Sequence, residues 1–507
     1  MPLASASGYR KTQNMKNLPI VKTGLIAVSR DCFPVELSRK RRKEVTAQCS
    51  KINIDIIEIE TIVENENDVV TALKEIQDKG VNSLVIYLGN FGPEGPLTLL
   101  AQKFDGPVML AGAAEETGNN LIHGRGDAYC GMLNASYNVG LRNLKPYIPE
   151  YPVGTADEIA GMISEYVPAS RVILALRKLK IFSFGPRPHD FLACNAPIKP
   201  LYDIGVEIME NSELDLYELY NKSENDKRIP DVIKDMEAEL GAGNKHPGIL
   251  EKLARYELTL ADFMENNLGA SDYGIFANKC WPAFQTSFGF VPCYVNSRFA
   301  SRGIPIACEA DIYGALSEYM ITAATVAPVT LLDINNTVPY DMIKEAGDLT
   351  SGYKPTDLFM GFHCGNTCAS YVSDAEMKYQ LIMHRLLENG KEPDITRGTL
   401  EGNIKPGDIT IFRLQATAEA TLKAYVAEGE ILDINPRSFG SIAVFAIKEL
   451  GRFYRHVLIQ QKFPHHTGVG FFHTGKSLFD ATKMLGLNDI YFNQPKGMMY
   501  NSENPFG

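Results

Sequence analysis

GIPIACEADIYGALSEYMITAATVAPVTLLDI, residues 303–334, reads as strand, helix, strand. GIPIAC is a short apolar run, a helix is expected from about Ile312 to Ala324, and PVTLLDI is a second buried strand. A unit of this size predicts a βαβ crossover, with both strands parallel and close in one sheet. Two carboxylates fall at its edge. Glu309 sits just past the carboxyl end of the first strand, and Asp333 near the carboxyl end of the second. Open α/β sheets place ligands at that edge. Neighbouring strands lie ~4.8 Å apart, so two such acids could share one divalent cation. Without a cation they repel, and one is driven towards protonation. Position alone also admits a helix-start acid at Glu309, and that is the reading kept for Asp311.

The same alternation extends towards the N-terminus. VKTGLIAVS (21–29), INIDIIEIE (52–60), VNSLVIYLG (81–89) and PVMLAG (107–112) read as strands, with helical stretches between them. That pattern predicts a parallel sheet covered by helices, ending near residue 170. It restarts at LKIFSFG (179–185) and IGVEIME (204–210), then a long polar helical region, then a strand ending at Cys280–Trp281. After residue 336 short alternating strands dominate, as in GNIKPGDITIFRLQA and LKAYVAEGEILDINPRSFGSIAVFAI, before a last helix near 476–485. The expected fold class is α/β: two doubly wound parallel-sheet domains, 19–170 and 171–336, followed by a mostly β C-terminal domain, 337–507. Residues 1–18 are expected to form a mobile arm.

The 507 residues are too many for one ordinary core. A net charge of −11 argues against nucleic acid, which needs a dense basic face. The one basic run, Arg39-Lys40-Arg41-Arg42-Lys43, reads as solvated surface. Nine scattered cysteines and no apolar leader fit reduced thiols in the cytoplasm, although the Ala and Ser near the start also suit an organellar transit peptide. No uninterrupted apolar span reaches membrane length.

A site of two carboxylates wants an imidazole. Among nine histidines, His465 and His466 stand out in QKFPHHTGVGF, where small residues let backbone approach closely. A pair of turn histidines is the plain alternative. His363 ends an apolar run in FMGFHCGN, and could equally be a core histidine bonded to backbone.

CEADIYGA (308–315), TLLDINN (330–336), LFMGFHCGN (358–366), GNIKPGDITIFRL (402–414) and PHHTGVGFFH (464–473), in that order, resemble the L-fucose isomerase and L-arabinose isomerase superfamily of metal-dependent aldose–ketose isomerases. The fucose isomerase branch is closer, because the second acid is Asp. The resemblance implies Mn²⁺, or another divalent cation such as Mg²⁺ or Co²⁺, held by Glu309, Asp333 and His466. It implies that Glu309 and Asp333 also move the protons of a cis-enediol pathway. It places Arg30, Trp281 and His363 near a small-molecule sugar. It further implies a homo-oligomer, a trimer or hexamer, with a neighbour's first domain walling the active site. A non-catalytic sugar-binding protein on the same scaffold is the alternative function.

SRDCFPVELSRKRR (29–42) is basic for a neutral-sugar site. An anionic sugar, sulfonated or phosphorylated, would find bidentate partners in Arg30, Arg39 and Arg187. Those arginines would otherwise bridge subunits or face water. A dinucleotide enzyme finds no support, since the first strand leads into SRDCFP and not into a Gly-rich phosphate loop.

Overall fold

Strands β1 (Thr23–Val28), β3 (Ser83–Leu88) and β4 (Val108–Ala113) are buried along their whole length, as parallel strands covered on both faces must be. With β2 (Ile56–Glu58) and β5 (Val153–Gly154) they form a parallel sheet in the order β2-β1-β3-β4-β5. This computed structural model describes residues 15–384 and 396–506. The described chain forms two units, one of Pro19–Ala175 with Phe479–Asn488, the other of the remainder. The arm expected over 1–18 lies outside the described residues as far as residue 14. Beyond it, Asn17 is tied down: its amide donates to the carbonyls of Gly274 and Gly303, at 2.9 and 3.0 Å.

The first unit corrects one expectation. Arg41 and Arg42 are buried, not solvated. On the helix Val35–Lys51 they share a face with Ser38, Val45 and Cys49, and that face packs on the sheet. Arg41 pairs with Glu115 at 2.9 Å and Arg42 with Glu58 at 2.7 Å, so neither charge is left alone. A second finding concerns membranes. The helix Ala156–Leu176 is long and apolar enough to cross one by length and composition, but Ile159, Ala160, Ile163 and Tyr166 are part of this unit's core.

In the second unit, β6 (Leu179–Gly185), β7 (Glu207–Ser212), β8 (Tyr273–Asn278) and β9 (Ile306–Ala307) make another parallel sheet, ordered β7-β6-β8-β9. The remaining strands are β10 (Val329–Asn336), β11 (Leu358–His363), β12 (Val372–Tyr379), β13 (Arg397–Ile404), β14 (Gly407–Ala416), β15 (Leu422–Leu432), β16 (Ser441–Ala446), β17 (His466–Gly470) and β18 (Ile490–Phe492). Their order is β12-β13-β16-β11-β10-β17-β14-β15-β18. An added β15–β16 pairing closes the run from β16 to β15 into a barrel. The α/β class with a mostly β C-terminal part is thus the observed fold.

The opening stretch is not a βαβ crossover. Its first strand, β9, is the edge of the second sheet, while β10 lies in the barrel, antiparallel to both β11 and β17. The intervening helix, Ile312–Thr325, is buried from Ile312 to Ala324 because it lies between the two sheets. An apolar run such as PVTLL records burial on both faces, not the direction of its neighbour. Glycines let this helix settle on β17: a Cβ on Gly470 would stand 2.5 Å from Ile321 Cγ2.

Candidate functional site

Glu309 and Ala310 follow β9 with φ of 63° and 53°, two successive left-handed residues with side chains. Each costs ~1–2 kcal/mol relative to an ordinary conformation. Backbone strain of this kind gathers at functional sites. The turn leaves the Glu309 carboxylate 3.6 Å from His466 Nε2. Asp333 comes from a different direction. It is the cross-strand partner of His466 on β10 and β17, and its Oδ1 lies 3.3 Å from the same Nε2. Antiparallel pairing, not a parallel crossover, therefore brings Asp333 to His466.

His363 ends β11, beside β10, with its ring centroid 5.8 Å from that of His466. Its Nδ1 accepts a hydrogen bond from Cys364 N at 3.0 Å, which leaves Nε2 for another partner. Three groups among the described residues have ligand atoms close enough to hold a metal: Cys194, Asp311 and His466; Glu309, His363 and His466; and Asp333, His465 and His466. Asp333 Oδ1 and His466 Nε2 are both buried and have no hydrogen-bond partner among the described residues. Orphaned buried atoms of this kind ask for an explanation, and a cation between them is one. Carboxylate oxygens with imidazole suit Mn²⁺, Mg²⁺ or Co²⁺ better than a thiolate-rich site would.

The charges are tightly linked. Burial pushes Glu309 up to about 7; the imidazole of His466 opposes this, while Asp333 and Asp311 add to it. Burial also acts on Asp333, but the neighbouring His466 overrides it and holds the acid down at about 2. Burial would lower His466, yet its bond to Asp311 and the nearby carboxylates of Asp333 and Glu309 raise it to about 10. His363 is lowered to about 4 by burial.

The other expected residues are not in these groups. Trp281 is half-buried just after β8. Arg30, just after β1 in the first unit, lays its guanidinium over the Phe91 ring at 4.7 Å and approaches Glu94 at 3.9 Å. Its side chain is 43% exposed. Arg39 pairs with Glu36 on its own helix. Arg187 turns inward and donates to the carbonyls of Cys194 and Ala196.

Several residues went unread. Asp311 caps the helix through Gly314 N at 2.9 Å, as a helix-start acid should, but also meets His466 Nδ1 at 2.9 Å and Arg413 at 2.5 and 2.9 Å. Arg413 and Gln415 share a strand face with Ile409 and Ile411, so the alternation of β14 already signalled an inward arginine. Phe191 stacks on His465 at 4.5 Å and stands edge-on to His466 at 5.0 Å. It lies in an irregular loop, where no periodicity marks it.

Similarity to known proteins falls on both units. The N-terminal domain of fucose/sulfoquinovose isomerases matches residues 24–177, and the C-terminal domain of L-fucose isomerase matches residues 361–493. Sulfoquinovose isomerase of Priestia aryabhattai is 21% identical over 473 residues, 91% of this chain and 97% of that protein. The sulfoquinovose isomerase of Alkalicoccus urumqiensis is 23% identical over 345 residues, 66% of this chain and 70% of its own. That of Clostridium sp. (strain MSTE9) is 25% identical over 307 residues, 58% and 60% of the two chains.

Proposed function

The chain belongs to the fucose isomerase superfamily and is a sugar isomerase; from that premise we propose that it interconverts an aldose and its ketose with the help of a divalent cation, Mn²⁺ first among the candidates. What supports metal dependence is one observation: Glu309 and Asp333 each come within 3.3–3.6 Å of His466 Nε2, and Asp333 Oδ1 and His466 Nε2 have no hydrogen-bond partner among the described residues. Glu309, Asp333 and His466 would hold the ion. When bound, the cation polarises the sugar carbonyl and offsets negative charge next to it.

The residues of the chain do the rest. One of the two carboxylates takes the proton from C2 of the open-chain sugar and returns it to C1, through a cis-enediol. The other serves the proton that passes between the two oxygens. Half-burial of the pair keeps bulk water from competing for these protons. Trp281 and His363 are proposed to contact the sugar, and so is Arg30.

The substrate proposed is a hexose with an anionic group, a sulfonated sugar being the leading case. That the relatives are sulfoquinovose isomerases supports this class. Of the three arginines considered, Arg30 has the least committed guanidinium. The enzyme is further proposed to be a cytoplasmic homo-oligomer, a trimer or hexamer. Support for association comes from the helix Ala128–Leu141, whose Tyr129, Leu133, Tyr137 and Leu141 are each 61–70% exposed at a spacing of four residues.

Solvent deuterium exchange at C2 tests the chemistry. A sulfonated hexose should exchange in the presence of Mn²⁺ and stop with EDTA, and Glu309→Gln and Asp333→Asn should each lower the rate by at least about 10²-fold. Sugar binding without exchange would leave only a binding protein. Turnover of neutral 6-deoxy sugars but not of sulfonated ones would remove the anionic substrate while leaving the reaction class in place.

A further inference from the structure

Asp311, Arg413 and Gln415 form a chain of polar groups sealed from solvent. Gln415 Oε1 accepts from Arg413 Nε at 3.0 Å and from Nη2 at 2.6 Å. Arg413 grips Asp311 with two nitrogens, Nη1 to Oδ2 at 2.5 Å and Nη2 to Oδ1 at 2.9 Å. Asp311 Oδ2 then meets His466 Nδ1 at 2.9 Å. Gln415 is anchored in turn, its amide donating to the Ala193 carbonyl at 3.2 Å. Asp311 is thus held by two nitrogens of Arg413 on one side and meets the imidazole of His466 on the other.

We infer that this chain is a positioning device: Asp311, held by Arg413 and Gln415, fixes the ring of His466 and keeps a proton on Nδ1, so that Nε2 is presented to a cation between Glu309 and Asp333. The inference rests on the metal-dependent reading above. Asp311 meets His466 at Nδ1, the nitrogen opposite Nε2, and so acts through the histidine. A carboxylate behind a ligating imidazole sets its tautomer and raises its basicity, and loss of such a partner costs 10–100-fold in metal affinity. A helix cap alone would not need the arginine. Gly314 N satisfies only one lone pair of Asp311. Bidentate pairing with Arg413 holds the carboxylate in one orientation.

The test is Mn²⁺ affinity by calorimetry on the full chain, with unfolding of the metal-free protein measured alongside. Asp311→Asn retains an oxygen for the Gly314 cap but loses the charge. It should bind Mn²⁺ 10–100-fold more weakly. Because it strands Arg413, a second variant, Asp311→Asn with Arg413→Met, removes the pair together, and it should show the same loss at an unchanged unfolding midpoint. Folded variants that bind Mn²⁺ within twofold of wild type overturn the inference and leave Asp311 a helix cap. Should neither variant fold, ¹⁵N ring shifts of His466 in wild type loaded with Mg²⁺ decide: a proton on Nδ1 upholds the inference, a proton on Nε2 overturns it. A wild-type chain that binds no divalent cation brings down the metal-dependent reading itself, and this inference with it.

Discussion

At the scale of single residues, Glu318 is a buried acid with little compensation. It lies in the helix Ile312–Thr325, is 2% exposed, and its Oε2 has no hydrogen-bond partner among the described residues. Burial raises it to about 8, the charge of Asp311 pushes the same way, and His466 and Arg413 pull back only weakly. The sign of the consequence is fixed. Its folded-state value lies above the ordinary 4.5, so the native protein holds the proton more tightly than the unfolded chain does. Stability from this group is full below pH ~4.5 and is lost as pH rises towards 8, at up to ~1.4 kcal/mol per pH unit. Glu318→Gln should flatten that loss, and urea unfolding of both metal-free proteins at pH 5 and pH 8 would show it. Equal losses in the two proteins would mean that Glu318 is not the source. Its neighbour Asp311 shows how far single residues are legible. Residue type and position were enough to read a helix-start acid. Its bonds to Arg413 and His466 span 102 and 155 residues of sequence, and no local pattern carries a contact of that range.

Among the elements, the helix Ala128–Leu141 has two faces with opposite demands. Its inner face carries Gly131, where a Cβ would stand 1.9 Å from the Phe91 carbonyl oxygen. That carbonyl belongs to the loop whose ring supports Arg30. Ala is the better helix former by ~1 kcal/mol, yet the collision is with backbone, which cannot rotate away. Gly131→Ala should therefore destabilise the protein by ~2–3 kcal/mol, within the range for overpacking, as read from the urea midpoint. An unchanged or higher midpoint would show that the loop yields freely. The outer face carries the exposed Tyr-Leu-Tyr-Leu stripe. Alternation makes it self-complementary: in an antiparallel pair about a two-fold axis, each tyrosine meets a leucine. Leu133→Glu with Tyr137→Asp should lower the mass seen by light scattering and leave the far-UV spectrum intact. An unaltered mass would place the association face elsewhere. The stripe was open to reading, since residues 129, 133, 137 and 141 repeat every four. What sequence does not record is which face of such a helix meets its own sheet.

For the molecule as a whole, class was easier to read than connection. Runs such as TGLIAV and SLVIYL suit strands covered on both faces, and the short alternating strands after residue 336 suit a largely β assembly. The partner of β10 was not readable, because VTLL suits a parallel and an antiparallel neighbour equally. Both arrangements set Asp333 near a strand end, and its charge bears on Glu309. The true one adds His466 as a direct cross-strand partner. Glu309, Asp333, His363 and His466 all belong to one unit, the one that excludes Pro19–Ala175. A cation that binds only the folded site stabilises by RT ln(1 + [L]/Kd), or ~2.7 kcal/mol at a hundred times Kd, a factor of about 100 in the open population. Mn²⁺ at that excess, compared with EDTA, should thus slow amide exchange up to about 100-fold in β10, β11 and β17, where exchange requires this unit to open. Strands β1, β3 and β4 of the other unit should keep their rates. Equal slowing of both units would show that they open together, and no slowing in β10 and β17 would show that the cation does not bind where Asp333 and His466 meet.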